Sequence, residues 1–465
     1  MDFGIALQDP LIQGLLQQNI LQRAFHDALY PRLMFRGEAT VVQWPQNVGE
    51  SMVFTAVGLI KKKLRPIAPN QDPVPSSYPK EQWKAQIQKY VDTIDTNMPT
   101  NVTALAALFL TNTQQLGLSA AESLNALTRN RSYNAGTSGH TVADGAQVGV
   151  TTLRVKRLNG FTKARRPDVV GASVIGFDTV TGSNPLPITV YSSGAPASVN
   201  VIGYTPDTVG DEIGPGTLAL SGAVTVLDRA YVISYDRSYV VRVGGGFKTD
   251  DIGAGDLLRM SNMRSAIARF WNVNAPEQPD GRFHCHLDPS SIGQIYDDPE
   301  WQRLHTALPD HYAYREFAIE DILGTVFYRD NQCPQIENVE PKDGVTFSQD
   351  DPIAGELYSD GTANGTKVHR PIFYAQGGLF EYYLDLESLI SEAGVTGKVG
   401  DFKLVNNGIE IFADRIQLIV RSPLDRLGEN VASSYKFIGD WPVRTDSATG
   451  DSARYKRICV IEHGE

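Results

Sequence analysis

The chain has 465 residues, a formal net charge of −11 and 42% hydrophobic residues. It is too long for one compact core, so we expect two or three domains, and its acidic balance excludes a protein whose main task is coating nucleic acid. Three scattered cysteines and the lack of a signal-peptide or transmembrane pattern predict a soluble protein of a reducing compartment, without disulfides.

Residues 1–39 form an apolar, glutamine-rich segment that we predict to be an N-terminal arm of one or two short helices. Its apolar side chains are interrupted by Gly14 and Pro31. They are Leu11, Leu15, Leu16, Ile20, Phe25 and Leu29. Such a segment packs either on its own domain or along a neighbouring chain, and both alternatives remain open.

Residues 40–98 are predicted to form an extended loop. Strand-like runs at 40–60 and at 83–96 flank a segment that contains five prolines, which can be neither a helix nor a central strand. These prolines are Pro66, Pro69, Pro73, Pro75 and Pro79. A protruding two-stranded arm of this kind is marginally stable alone, so we expect another chain to cover it.

Residues 99–147 begin with the strongest helical pattern in the chain, which predicts one long helix over 99–134. Its apolar side chains recur every three to four residues. They are Leu105, Phe109, Leu116, Ala120, Leu124 and Leu127. Asn112 and Gly117 delimit a weak stretch where a bend would fall, because glycine costs about 1 kcal/mol inside a helix. An ordinary core helix is the alternative interpretation.

Residues 148–247 are rich in Val, Thr, Ser and Gly, and their short strand-like runs predict an inserted all-β domain, either a small sandwich or a barrel. Within this block, residues 231–235 and 239–243 flank Asp236-Arg237-Ser238 and are predicted to form a hairpin. Three glycines at 244–246 mark its end.

Residues 248–330 and 331–465 are predicted to supply an α+β body. A helix is expected at 254–272, then a strand at 282–287 and a helix capped by Asp288 with Pro289 in its first turn. Asn407-Gly408 predicts a tight hairpin between closing strands.

The segment His284-Cys285-His286 is the one metal-like cluster. On a strand its two imidazoles share a face, but a zinc site needs two more ligands, so a structural role with Cys285 in the core is favoured. The acid pairs at 297–298 and 350–351 are interpreted as a helix cap and a solvated loop. We therefore predict no catalytic, cofactor-binding or metal-binding residues, and no enzyme.

A basic cluster opens the β-rich block. It comprises Arg154, Lys156, Arg157, Lys163, Arg165 and Arg166. These side chains could meet phosphates, but no aromatic residues are interleaved for base stacking. A solvated or subunit-facing strand is the favoured interpretation.

The order of the parts (N-terminal arm, protruding proline-rich loop, long helix, α+β body) resembles that of the major capsid proteins of tailed bacteriophages with the Hong Kong-type (Johnson) fold. RFHCHLDPSSIGQIYDDPEWQRL, at 282–304, is similar to a segment of one branch, that of a Podovirus with a virion RNA polymerase. IFYAQGGLFEYYLDL and ADRIQLIVRSPLDRLGEN look like the closing strands of that branch. The resemblance covers nearly the whole chain except 148–246.

This resemblance implies an α+β capsid fold in which 40–96 is the extended loop and 100–132 the spine helix, with peripheral and axial domains in the remainder. It implies a structural protein that forms pentamers and hexamers of an icosahedral shell around double-stranded DNA, in the virion, after assembly in the host cytoplasm. DNA would be touched without specificity, no membrane is involved, and scaffolding, portal and decoration proteins are further partners.

The residues expected to contact neighbouring subunits lie in the loop and the arm. They are Lys61, Lys62, Lys63, Arg65, Pro69, Trp83, Leu15 and Phe25. Two alternative functions remain: a metal-dependent hydrolase or binding protein that uses His284 and His286, and another phage structural protein of a tail or fibre.

Overall fold

The computed structural model describes residues 24–25, 27–28, 34–45, 48–57, 63–64, 66–67, 69–73, 75, 80–97, 105–166, 174–192, 195–209, 212–246, 249–305, 323–333, 335–337, 366–385, 398–399, 402–405, 408–413, 415–421, 430–443 and 457–465. No helix among these residues is both long enough and apolar enough to cross a membrane.

Helices and strands are mixed throughout these residues, which confirms the α+β class. The main helices are α1 Met34–Gly37, α2 Leu105–Gly136, α3 Met260–Asn272, α4 Pro289–Tyr296 and α5 Pro299–His305. The strands are β1 Thr40–Gln43, β2 Ser51–Val57, β3 Lys80–Gln86, β4 Gln88–Asn97, β5 His140–Val142, β6 Gln147–Val155, β7 Lys163–Arg166, β8 Val174–Thr179, β9 Leu186–Tyr191, β10 Ala197–Pro206, β11 Gly216–Val226, β12 Tyr231–Ser234, β13 Val240–Arg242, β14 Phe283–Leu287, β15 Thr325–Arg329, β16 Gln335–Glu337, β17 Lys367–His369, β18 Ile372–Tyr374, β19 Phe380–Tyr383, β20 Lys398–Val399, β21 Phe402–Val405, β22 Gly408–Ala413, β23 Ile416–Arg421, β24 Asn430–Asp440 and β25 Ile458–Gly464.

The chain divides into two compact units, each built from separated segments. The first unit contains Met1–Met52, Lys84–Arg129 and Phe380–Pro442, and the second contains the remainder. The predicted boundaries at 39, 98, 147, 247 and 330 therefore stay predictions, because this division groups the segments differently.

The first unit is a sheet covered by a helix. Its strands run in the order β1-β19-β24-β23-β22-β21-β20, and β4 pairs antiparallel with β24 along its whole length. The helix α2 bonds to β4 at two points: Asn112 Nδ2 donates to Thr96 Oγ1 at 2.8 Å, and Ser119 Oγ to Asp92 Oδ2 at 3.3 Å. The predicted hairpin is present, since β21 and β22 pair antiparallel with Val405 opposite Gly408. Gly408 is the first residue of β22, and Asn407 lies outside the described residues.

The predicted long helix is confirmed as one continuous helix of 32 residues. Three positions of the predicted apolar stripe, Leu116, Ala120 and Leu124, are completely buried. The stretch from Asn112 to Gly117 does not interrupt it. Close packing explains the glycine: a Cβ atom built on Gly117 would lie 3.0 Å from the carbonyl oxygen of Phe25 and 3.2 Å from its ring.

Gly117→Ala is therefore expected to destabilise the first unit, although alanine is the better helix former. Overpacking against a backbone oxygen typically costs about 1–3 kcal/mol, which exceeds the gain of about 1 kcal/mol in helix propensity. Urea unfolding of the full chain measures the change. Glu122→Ala, at an exposed position of the same helix, is the matched control and should change stability by less than about 0.5 kcal/mol. A Gly117→Ala variant as stable as the control would contradict this packing.

Within residues 140–234 of the second unit, the strands β5, β6 and β9–β12 form a six-stranded antiparallel barrel, which decides between the two architectures expected for the β-rich block. The strands β7 and β8 of the same range pair with each other and, through β8, with β3. The strand order of the barrel is β5-β12-β9-β10-β11-β6, and a bridge between Ala143 and Val155 closes the last strand onto the first. Its interior is filled by aliphatic side chains, among them Leu153, Ile188 and Leu218. Closure removes the exposed sheet edges that an open sheet would leave.

The hairpin predicted around Asp236-Arg237-Ser238 is wrong. The strand β12 pairs with β5 and β9 of the barrel, whereas β13 pairs in parallel with β25 in a different sheet. The backbone groups that a hairpin would use are bonded elsewhere: Ser234 N donates to Gly139 O at 2.9 Å, and Ser238 N donates to Ser138 O at 2.8 Å. The segment thus leads from one sheet to the next.

The strands β2 and β3 are not an isolated two-stranded arm as predicted, because β3 also pairs in parallel with β8 in a four-stranded sheet of order β2-β3-β8-β7.

The second unit also contains a mixed sheet with helices against it. The strand order is β15-β14-β18-β25-β17-β16, with β13 added on β25. The helix predicted from residue 254 begins later, at Met260, because Gly253 N and Leu258 N are bonded to the side chains of Asp256 and Gln294 instead of to helical carbonyls. The predicted strand at 282–287 is confirmed, and so is the cap at Asp288, whose side chain accepts from Ser291 N.

Candidate assembly surface and buried polar clusters

The strand β2 and the loop after it expose apolar side chains. Exposed and half-buried residues alternate over residues 51–55, so neither face of this part of β2 is buried. Val53 is 56% exposed, Leu64 88% and Ile67 53%. The rings of Phe54 on β2 and Trp83 on β3 stack with their centroids 6.0 Å apart, so an aromatic contact joins these two strands. Apolar groups left in water over such a stretch are typical of a surface that another chain covers.

Of the residues expected to contact neighbouring subunits, Lys63 and Pro69 are exposed and Trp83 is half-buried in its stack with Phe54. Four others, Lys61, Lys62, Arg65 and Leu15, lie outside the described residues. Contacts of all these residues with a second chain stay a prediction.

Phe25 requires a correction. Its side chain is completely buried, and its ring and carbonyl oxygen lie against α2 at Gly117 within the first unit. A side chain with no exposed surface cannot contact a neighbouring subunit. Of the two alternatives for the N-terminal arm, Phe25 takes the intrachain one.

The two histidines of the metal-like cluster lie on β14, with both imidazoles against Tyr328 of β15. His284 Nε2 is 3.0 Å from Asp280 Oδ2, and the buried His286 faces Asp330 with 3.5 Å between Nδ1 and Oδ2. Cys285 is completely buried in the core, as expected. In the described part of the chain, no group of three or more His, Cys, Asp or Glu side chains is placed to hold a metal ion.

Two arginines of the basic cluster, Arg154 and Arg157, are paired within the chain, whereas Lys163, Arg165 and Arg166 lie on β7 outside the barrel. Arg154 forms ion pairs at 2.8 Å with both Asp144 and Asp207. Arg157 is buried and donates to Asn134 Oδ1 at 2.7 Å and to Thr137 Oγ1 at 3.1 Å. Side chains held in this way serve the barrel and its junction with α2, which disfavours the phosphate-binding alternative for them.

A buried cluster that sequence reasoning missed surrounds the cap of α4. Asp288 Oδ2 lies 2.7 Å from His369 Nδ1, and the Ser291 hydroxyl donates to Asp288 Oδ1. Ser291 Oγ is also 2.8 Å from His463 Nε2, and the rings of His369 and His463 stack with centroids 5.3 Å apart. His369 Nε2 reaches Glu465 Oε2 at 2.9 Å. From the sequence, only the role of Asp288 as a helix cap could be predicted. The histidines of the cluster, His369 and His463, lie 81 and 175 residues further along the chain.

The surroundings of the two imidazoles in this cluster shift their pKa values in opposite directions. Burial lowers the pKa of His463 to about 4, so this ring is neutral at pH 7. Burial alone would lower the pKa of His369 too, but the bonds to Asp288 and Glu465 outweigh it and raise that pKa. The same bond to His369, with that from Ser291, lowers the pKa of Asp288 against the effect of burial.

Serine, histidine and aspartate are the residue types of a nucleophilic triad, but this arrangement does not form one. Ser291, His463 and Asp288 are each completely buried, so a substrate cannot reach the hydroxyl. Asp288 contacts the serine and the other histidine, instead of orienting His463 as a base requires. The cluster holds α4, β17 and β25 together.

A second buried cluster centres on Glu462 of β25. Arg242 Nε lies 2.8 Å from Glu462 Oε2, and Arg370 Nη2 lies 2.6 Å from Oε1. Thr249 Oγ1 also donates to Oε2, at 3.1 Å. Burial would raise the pKa of Glu462, but the two arginines outweigh it and lower the pKa to about 2. Glu462 is thus a buried carboxylate that neutralises two guanidinium groups.

No family model matches this chain, and no curated protein matches it. Solved structures similar to it include the capsid of Ralstonia phage GP4, at 10% sequence identity and a TM-score of 0.47, covering 92% of this chain and 87% of that chain. The cyanophage Pam1 capsid matches at 8% identity and a TM-score of 0.46, covering 94% and 92%. The capsid of cyanophage P-SCSP1u matches at 11% identity and a TM-score of 0.43, covering 93% and 88%.

Proposed function

We propose that this chain is a structural major capsid protein that self-assembles into an icosahedral shell enclosing packaged double-stranded DNA. The observation that carries the proposal is the exposed apolar surface of β2 and the following loop. In the chain it is followed by β3, β4 and then the long helix α2. Val53, Leu64 and Ile67 contribute little to the folded monomer, because water still reaches them. Their apolar surface would be removed from water, and would stabilise the assembly, when another copy of the chain covers them.

The requirements of a closed shell agree with this layout. Pentamers and hexamers need heterologous contacts that repeat around five-fold and six-fold axes, so each subunit must extend a segment to its neighbour. In this proposal the loop between β2 and β3 is that segment, and α2 is the spine helix. The barrel of residues 140–234 is an insertion that follows the spine.

The charge of the chain suits a container for DNA. A net charge of −11 does not favour tight binding to phosphates, and the barrel arginines Arg154 and Arg157 are already paired within the chain. Enclosed DNA would therefore meet the shell through non-specific contacts. Scaffolding, portal and decoration proteins are the partners that such a shell takes, and it assembles in the host cytoplasm into the virion. The role of the chain is structural and not enzymatic.

Electron microscopy of the purified full chain, expressed alone and together with the other structural proteins of its phage, tests the proposal. We expect uniform closed shells in at least one of these preparations. Val148→Asp, a variant at an 80% exposed position of the barrel, controls for non-specific effects of an added surface charge and should assemble like the parent chain. Preparations that contain only monomers or open dimers in every condition, with the partner proteins present, would overturn the proposal.

A further inference from the structure

We propose that a line of buried polar groups between the barrel and the adjoining sheet is an acid-sensitive latch, which releases the barrel strands β5 and β12 when the imidazole of His140 takes up a proton. The latch consists of Ser238, His140, Tyr231, Arg242, Glu462 and Arg370, all in the second unit. The inference concerns the monomer and does not depend on shell assembly.

The hydrogen bonds of the latch run in one direction. Arg242 Nη1 donates to the hydroxyl oxygen of Tyr231 at 3.3 Å, and that hydroxyl in turn lies 2.5 Å from His140 Nδ1. His140 Nε2 lies 2.8 Å from the carbonyl oxygen of Ser238, which can only accept. The ring must therefore carry its proton on Nε2 and accept from Tyr231 at Nδ1. This pattern fits the neutral imidazole.

The latch joins strands that belong to different sheets. His140 and Tyr231 lie on β5 and β12 of the barrel, whereas Arg242 lies on β13 and Glu462 on β25. Arg242 is held from the far side by its ion pair with Glu462, which Arg370 shares. The guanidinium of Arg242 also lies over the Tyr231 ring, 5.8 Å from its centroid. Tyr231 is therefore one point at which side chains attach the barrel to the sheet.

Protonation of His140 keeps the bond to Ser238 and is favoured by the charge of Glu462, but it conflicts with the bond from Tyr231, with burial and with the nearby arginines. A second N–H at Nδ1 would face the hydroxyl proton of Tyr231, so the hydroxyl would have to rotate and leave its bond. The new charge would stand near two cations, Arg242 on β13 and Arg237 in the turn after β12, while the carboxylate of Glu462 is already committed to two arginines. Burial, followed by the charge of Arg242, lowers the pKa of His140 to about 3.

The direction of the pH effect follows from linkage. An imidazole with a depressed pKa in the closed state binds its proton more readily once the latch opens and the ring regains its ordinary value of 6.5. The closed state is therefore most stable above that value and loses stability as the pH falls below it. Between pH 7 and pH 5 the opening equilibrium should rise by about 25-fold from this one group.

Hydrogen–deuterium exchange of the full chain, corrected for the intrinsic pH dependence of exchange, tests the latch. The amides of β5 and β12 should lose about 25-fold in protection between pH 7 and pH 5, compared with the amides of β10 and β11, two strands of the same barrel that carry no histidine. His140→Gln, whose amide can both donate to Ser238 and accept from Tyr231, should abolish this selective loss. His284→Gln, at a histidine outside the latch, is the matched control and should keep it.

Two outcomes would overturn the proposal: a wild-type chain whose β5 and β12 are equally protected at both pH values, and an equal loss in wild type and His140→Gln. Tyr231→Phe provides a second measurement if His140→Gln does not fold. It keeps the aromatic ring and removes the hydroxyl that joins His140 to Arg242, so these strands should exchange faster already at pH 7. Unchanged exchange in this variant would also count against the latch.

Discussion

Replacing Glu462 with Gln is expected to lower the free energy of unfolding by about 3–5 kcal/mol, because it removes the buried carboxylate that forms ion pairs with two buried guanidinium groups. Arg242 and Arg370 both depend on this carboxylate, and Glu462 itself is completely buried. Glutamine has nearly the same shape, so the loss reports on charge and not on a cavity. Urea unfolding of the full chain at pH 7, followed by circular dichroism, measures it.

The acid limb of the stability curve gives an independent check on the same residue. The pKa of Glu462 is lowered to about 2 from its ordinary value of 4.5, so its contribution is present above pH 4.5 and is lost as the pH falls towards 2. Glu462→Gln should therefore show a flatter loss of stability over that window than the parent chain.

The control for this experiment is Glu300→Gln. Glu300 and Arg264 form a solvent-exposed pair 3.6 Å apart, and exposed pairs of this kind contribute between about 0 and 1 kcal/mol. A Glu462→Gln variant no less stable than Glu300→Gln would show that the arginines find other partners or water. In that case the buried carboxylate would not be what holds β13 and β25 together.

Removing Pro66–Pro79 and joining the ends with a short Gly-Ser linker is expected to abolish shell formation while leaving a folded monomer. The residues of this loop that the structure describes, among them Ile67 and Pro69, are exposed, so their loss costs the monomer little. Their loss would, however, remove a surface through which the proposed shell joins its subunits. Sedimentation velocity and electron microscopy measure assembly, and thermal unfolding measures the fold.

Point variants distinguish the effect of losing the apolar surface from the effect of shortening the loop. Leu64→Asp and Ile67→Asp keep the chain length and place a charge on the apolar surface, so each should reduce the yield of closed shells at least tenfold. Val209→Asp, at a 98% exposed barrel position, should not. A truncated chain that fails to fold would show that the loop belongs to the core. Normal shells from the truncated chain would show that the loop is not an assembly contact.

Local patterns predicted the local structure well. The apolar period that includes Leu116, Ala120 and Leu124 was sufficient to find α2, because these positions share one face of a helix and are all buried. The Asp288-Pro289 cap and the hairpin of β21 and β22 were found for the same reason, since their bonds close within a few residues. Gly117 looked like a weakness of the helix, because a sequence does not reveal that Phe25 packs against it.

Contacts between distant parts of the chain could not be predicted. Tyr231 and Val240 flank a plausible turn, yet β12 and β13 join different sheets because their partners, His140 and Val460, lie far away in sequence. The same limit applies to the buried polar clusters: Glu462 meets Arg242 across 220 residues. A single charged residue in an apolar strand indicates that a partner exists, but not which of many it is.

The two ends of the barrel segment lie side by side, which makes this part of the chain suitable for joining a second domain. The chain enters the barrel at His140 and leaves it after Ile233, and these two residues are paired neighbours on adjacent antiparallel strands. A segment whose two ends emerge side by side can accept an added domain with similarly close ends while its own contacts with the rest of the chain are kept. The junction between Gly139 and Ser234 is therefore a natural point for grafting a foreign domain onto this protein.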